Sequence, residues 1–191
     1  MQVRNLIVGA LLFSCTGHVN AQSLTLRVDN IDQIVDSMTL EEKVNLLVGR
    51  NDYLFGGYEK LDKAPRVMDS SISGFTQVIP RLGIPATGLA DGPAGAVVVT
   101  RPDSKKNYYA TGFPIGSLLA CSWNTGLVET IGQAIGNEIL EYGVDVVLAP
   151  GMNIHRSPLC GRNYEYFSED PVLTGKIAAA YIRGVQSNGV G

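Results

Sequence analysis

Residues 144–150, Val-Asp-Val-Val-Leu-Ala-Pro, form an almost continuously apolar run with a segment of helical period on each side. A strand with so few polar positions must be covered on both faces, and helices packed against a parallel sheet provide that cover. Upstream, Asn124 is placed to cap a helix whose apolar residues Leu127, Val128, Ile131, Ile135 and Ile139 keep helical spacing as far as Tyr142, with Gly143 closing it. Downstream, Asp170 can cap a helix with Pro171 at its first position; Leu173, Ile177, Ala180 and Tyr181 form its buried stripe, and Gly184 and Gly189 bring it to an end. An earlier run, Ile84 to Ala90, reads as a short strand that ends at Asp91 and passes into the Gly/Pro turn "DGPAG". Strand, helix, strand, helix predicts a parallel α/β fold.

The remaining segments carry less information. A helix is expected over Ile31–Ser37, and "TLEE" announces a second. There Thr39 caps the free amides, Glu42 reaches back, and Leu40, Val44, Leu47 and Val48 share one face before Gly49. Residues 50–82 read as loop with room for one short helix, and a long loop is expected from Gly92 to about Ser122. The spaced glycines of "GQAIG" and those of "GPAG" read as helix-packing and turn residues, because no G-x-G-x-x-G follows either strand.

Fifteen basic against eighteen acidic residues give a formal charge of -3 without a block of either sign, so nothing favours a nucleic-acid partner. The first 21 residues carry one cation, Arg4, an apolar stretch from Leu6 to Phe13 and a small-residue end at Ala21; they predict an export signal and a periplasmic or secreted protein. Cys15 offers the lesser alternative of a lipid-attachment site. The apolar stretch is far shorter than the roughly 20 residues that span a bilayer, so no membrane span is expected. Cys121 and Cys160 make no disulfide framework. With His155 as the one histidine beyond the signal, neither a metal site nor a Ser-His-Asp triad is expected, and no cofactor is implied.

An open doubly wound sheet and a closed (β/α)8 barrel both fit the pattern, and both place ligands at the carboxyl ends of their strands. Asp91 closes the first strand. The second leads through residues 151–158 into "LCGRNYEYFSEDP", residues 159–171, where an arginine, three aromatics and three carboxylates crowd together. Such a set reads either as a solvated charged loop or as one wall of a polar binding site.

The segments "ADGPAG", "FPIGSLLACSWN" and "APGMNIHRSPLCGRNYEYFSEDP", in this order, resemble the amino-terminal barrel of family three glycoside hydrolases, over about Gly83 to Gly191. The form "PLCGRNYEYFSEDP" is most similar to the large multidomain β-glucosidases. The resemblance implies the amino-terminal part of a (β/α)8 barrel over residues 22–191, an incomplete one, and a retaining hydrolase releasing the nonreducing-end sugar of β-glucosides. β-Xylosidase or N-acetylglucosaminidase activity, or an inactive sugar-binding fragment, are the alternatives. Asp91 matches the family's aspartate that accepts from hydroxyls of the nonreducing-end sugar, and Arg162 the arginine that donates to it. Where the subgroup carries an arginine near the position of Val97, this chain reads "DGPAGAVVV", so that contact is missing or comes from Arg101. The family's Lys-His pair, aspartate nucleophile and acid/base carboxylate are not among these residues, so the chain by itself is expected to be inactive.

No catalytic role is assigned to the carboxylates of the motif. Glu165 is expected to orient Arg162 or a neighbouring cation, Glu169 sits beside a helix start, and Asp170 is explained by its cap. Tyr164, Tyr166 and Phe167 are expected to pack the loop, His155 and Arg156 to line the site or brace it, and Trp123 to lie in the core.

Overall fold

The computed structural model describes residues 24–49, 70–71, 73–100 and 107–191. In chain order the elements are α1 (Ile31–Ser37), α2 (Leu40–Val48), β1 (Ser70–Ser71), β2 (Gly74–Phe75), a 3-10 turn at Pro80–Leu82, β3 (Gly88–Asp91), β4 (Val99–Thr100), α3 (Gly116–Cys121), α4 (Thr125–Glu141), β5 (Val146–Leu148), a 3-10 turn at Asn163–Glu165 and α5 (Pro171–Gln186). The fold is α/β. The expected export signal, residues 1–21, lies outside the described residues.

A three-stranded sheet in the order β2-β3-β5 carries the site. β3 and β5 are parallel, with Leu89 opposite Val146, Ala90 opposite Val147 and Asp91 opposite Leu148. β2, which the sequence pattern does not reveal, runs antiparallel to β3 and is only two residues long. β3 is shorter than expected. Ile84 instead forms an isolated bridge with Ile79 across the 3-10 turn. Asp145, the polar exception in the apolar run, holds the strands in register: its carboxylate accepts the Gly88 N–H at 2.8 Å and its own N–H donates to the Gly88 carbonyl at 3.0 Å.

Three caps form as the sequence predicts. The Asn124 side chain accepts from the Leu127 N–H at 3.0 Å, Asp170 from the Val172 N–H at 2.7 Å, and Thr39 with Glu42 closes a capping box on α2. Val128, Ile135 and Ile139 of α4 and Ile177, Ala180 and Tyr181 of α5 are buried together with Ala90 of β3 and Val147 of β5. The helices meet backbone to backbone. A Cβ on Gly132 would stand 2.4 Å from the Tyr181 carbonyl, and one on Gly184 2.2 Å from the Glu129 carbonyl. Gly132 and Gly136 are thus helix-packing residues, as expected. Gly184 does not end α5; it lies inside the helix at the closest approach to α4, a packing need that outweighs glycine's low helix propensity.

Other expectations fail for reasons of context. The expected Gly92–Ser122 loop contains α3, a six-residue helix with no capping side chain to announce it. Trp123 is not core: it is 73% exposed, in the turn between α3 and α4, with a positive φ of 51°. The apolar face of α2 is also exposed, with Leu40 at 79% and Leu47 at 88%. Helical period identifies a face, but it does not say that the described residues supply a partner for it. Among the described residues no helix is long and apolar enough to cross a membrane, and no cluster of potential metal ligands occurs.

Candidate functional site

Asp91 is the last residue of β3 and is exposed. Its backbone is fixed on both sides: the N–H donates to the Ser73 hydroxyl at 2.9 Å, and the carbonyl accepts from the Val97 N–H at 2.8 Å. The turn that follows is folded tightly on itself. Gly95 donates to the Gly92 carbonyl at 3.2 Å with a φ of 117°, and a Cβ there would stand 2.1 Å from the Thr111 carbonyl, so glycine is required. From below, the Tyr181 hydroxyl of α5 reaches the Gly92 and Pro93 carbonyls at 3.3 and 3.4 Å. Burial pushes the Tyr181 phenol well above its usual range, keeping it a hydrogen-bond donor at neutral pH. The backbone of Asp91 is thus held on both sides, and its carboxylate takes no hydrogen bond from any described residue.

The second half of the site follows β5. Ala149–Pro150 is a cis peptide, and the chain then runs through residues 151–170 to α5. Local hydrogen bonds shape this loop. The Asn163 side-chain amide donates to the Ser157 carbonyl at 2.8 Å, the Ser117 hydroxyl of α3 to the Tyr164 carbonyl at 3.2 Å, and the His155 N–H to the Ser168 carbonyl at 3.2 Å. Tyr166 and Phe167 are buried and anchor the loop as expected, whereas Tyr164 is exposed.

Arg162 stands on this anchored turn. Its guanidinium Nε donates to Glu165 Oε1, and its Cζ lies 6.0 Å from the centre of the Tyr166 ring. The two side chains differ in setting: Arg162 is 71% exposed and Glu165 only 14%. The hydrogen bond from Arg162 holds the Glu165 carboxyl below the usual carboxylate range, and the same bond raises the guanidinium further, so both stay charged. With Nε engaged by Glu165, the two terminal amino groups of Arg162 are left to pair with a ligand that offers two adjacent acceptors.

His155 is half-buried on the same loop, its ring centre 6.3 Å from that of Tyr166; its Nε2 is shielded from solvent and meets no partner among the described residues. Its backbone bond and ring contact brace the loop. Arg156 is exposed, and Arg101 lies outside the described residues. Cys121 and Cys160 are both free and exposed. The parallel pairing of β3 with β5 brings Asp91 and the start of the Arg162 loop to one carboxyl edge of the sheet. α3 escaped the sequence reading, yet it buttresses this edge through Ser117; the one local signal was the Phe-Pro-Ile-Gly stretch before it.

Comparison with known proteins matches this frame. A family model described as the glycosyl hydrolase family 3 N terminal domain matches residues 63–191. The thermostable β-glucosidase B of Acetivibrio thermocellus is 42% identical over 167 residues, which cover 85% of this chain and 19% of that protein. β-Glucosidase B of Emericella nidulans is 41% identical over 160 residues, 84% of this chain and 16% of that protein. Among solved structures, β-glucosidase 3B of Thermotoga neapolitana in complex with α-D-glucose superposes with a TM-score of 0.72 at 50% identity, over 84% of this chain and 22% of that one. The chain thus spans about a fifth of the length of the relatives it matches.

Proposed function

Because the chain belongs to glycosyl hydrolase family 3, through that family's N-terminal domain, we propose that it is the sugar-binding portion of a β-glucosidase-type retaining hydrolase. The observation that carries the reading is the carboxyl edge shared by β3 and β5, where one strand ends at Asp91, a carboxylate acceptor, and the other leads into the loop that bears Arg162, a guanidinium donor held by its partner Glu165. Carboxylate and guanidinium together meet the donor and acceptor faces of a sugar's hydroxyls. His155 and Arg156 flank these groups, and Arg101 is a further candidate where the family's subgroup carries an arginine near Val97.

The α/β frame is read as the first units of a (β/α)8 barrel over residues 22–191, with ligands at the carboxyl ends of its strands. Retaining hydrolysis needs two carboxyl groups about 5 Å apart, one attacking the anomeric carbon and one protonating the leaving oxygen. Glu165 is committed to Arg162 and Asp170 to the α5 cap, so these residues bind and orient rather than cleave. Residues 1–21 are read as the signal that exports the protein.

The chain is assayed with nitrophenyl β-glucoside beside Glu165→Gln and Glu169→Gln variants, and the same panel includes β-xyloside and N-acetyl-β-glucosaminide. No turnover is expected from the chain alone. Turnover that either variant abolishes would place a catalytic carboxylate in "GRNYEYFSED" and overturn the reading.

A further inference from the structure

We propose that Glu138, on α4, is a positioning residue for the sugar site: it clamps the segment of chain that backs the turn after Asp91. This rests on the reading of Asp91 as a sugar contact, and adds a residue that acts on it through the fold. Both carboxylate oxygens of Glu138 are engaged by one residue, Thr111: Oε2 accepts its backbone N–H at 3.0 Å and Oε1 accepts its hydroxyl. One helical turn further along, at the end of α4, the Tyr142 hydroxyl donates to the Tyr109 carbonyl, and the Tyr142 ring meets that of Tyr108 edge-on with centres 6.1 Å apart. α4 thus grips residues 108–111 at two points.

The gripped segment is joined to the Asp91 turn. The Phe113 N–H donates to the Ala94 carbonyl at 2.8 Å, and the Thr111 carbonyl occupies the space that a side chain on Gly95 would need. Ala94 and Gly95 lie within the loop that the Val97 N–H closes on the Asp91 carbonyl. Ala110 and Phe113 pack against the main core, so burial seats the segment on either side of Thr111. Thr111 itself is exposed, and it owes its orientation to Glu138. Without the carboxylate, the Thr111 carbonyl is free to withdraw from Gly95, and the turn that sets Asp91 gains room to move.

The test is a ¹H–¹⁵N titration with methyl β-glucoside of the wild type, Glu138→Ala, Glu138→Gln and Ile135→Val, with urea unfolding of each. Glutamine keeps the clamp, since its amide oxygen accepts the Thr111 N–H and its amide nitrogen donates to the hydroxyl, which turns to accept. Ile135→Val thins the buried face of the same helix and controls for lost stability alone. Glu138→Ala is expected to weaken the glucoside about tenfold, the worth of one well-placed sugar hydrogen bond, and to shift the Asp91 and Gly95 amides of the sugar-free chain. Glu138→Gln should restore both the affinity and the shifts, and Ile135→Val should bind as the wild type does despite a lower urea midpoint. Glucoside binding by Glu138→Ala equal to the wild type's would overturn the proposal, as would a loss that Glu138→Gln fails to restore or that Ile135→Val reproduces. A wild type that binds no glucoside would instead overturn the sugar-binding reading beneath it; the amide shifts then decide the clamp, and Asp91 and Gly95 signals unmoved in Glu138→Ala would overturn that as well. Should Glu138→Ala not fold, Glu138→Asp, whose carboxylate is one methylene shorter, takes its place with the same expected loss.

Discussion

Substituting Gly184 by alanine tests the packing that holds the site's two halves together. A Cβ there would stand 2.2 Å from the Glu129 carbonyl, 2.9 Å from the Gln133 nitrogen and 2.9 Å from the Gly132 Cα, all backbone atoms of α4. Ordinary contact begins near 3.4 Å, so α5 must move from α4 by about 1.2 Å (3.4 − 2.2), and no side-chain rotation can relieve it. Overpacking of this kind costs typically about 1–3 kcal/mol, and a backbone clash falls at the upper end. Exchange of glycine for alanine inside a helix returns roughly 1 kcal/mol. The net loss is about 2 kcal/mol, which lowers the melting temperature by roughly 4–8 °C for a chain of this size. Gly175, on the same helix, has nothing within 4 Å of its Cβ, so Gly175→Ala should instead gain about 1 kcal/mol from propensity. Both variants are compared by calorimetry and urea unfolding. A Gly184→Ala chain as stable as Gly175→Ala would refute the backbone contact between α4 and α5.

Further predictions follow from the same contacts. Arg81 binds Glu42, with Nε to Oε1 at 2.7 Å, and together with the Thr39 N–H holds the Glu42 pKa at about 2, down from 4.5. A depressed folded pKa stabilises the fold above the unfolded value, and that contribution is lost as pH falls from about 4.5 through 2; Glu42→Gln should flatten this limb of urea midpoints taken against pH. Tyr181→Phe removes the hydroxyl that reaches the Gly92 and Pro93 carbonyls and should cost about 1 kcal/mol in urea unfolding. In the wild type, spectrophotometric titration should show Tyr181 ionising well above the usual tyrosine range because it is buried, a step absent from Tyr181→Phe. Amino-terminal sequencing of the exported protein should begin at Gln22, and an intact Met1 on a cytoplasmic chain would contradict the export signal.

What the sequence made legible were the parts governed by local chemistry. Asn124, Asp170 and the Thr39–Glu42 box fix helix starts through one or two side-chain bonds each, and all three form. The apolar run 144–150 placed β5, and the position of Asp91 at the end of its strand followed from the turn glycines. Features governed by distant partners were harder to read. Gly184 looks like a helix terminator until α4 is known to cross it, and α3 has neither a cap nor enough length to show a period. Trp123 was expected in the core because it is apolar, yet burial depends on what stands opposite. At the site, the spacing of Arg162 and Glu165 suggested a pair, while the contrast in exposure that makes one the holder and the other the donor needed the folded turn.

The most direct test of the account is whether Asp91 and Arg162 bind one sugar. Titrating the labelled chain with methyl β-glucoside should shift the Asp91 amide and the Arg162 Nε–H along curves that share a single dissociation constant, and Asp91→Ala should weaken the response at Arg162, since a sugar hydroxyl left without its acceptor costs about 1–3 kcal/mol. Shifts confined to one of the two residues, or saturating at different concentrations, would contradict a shared site.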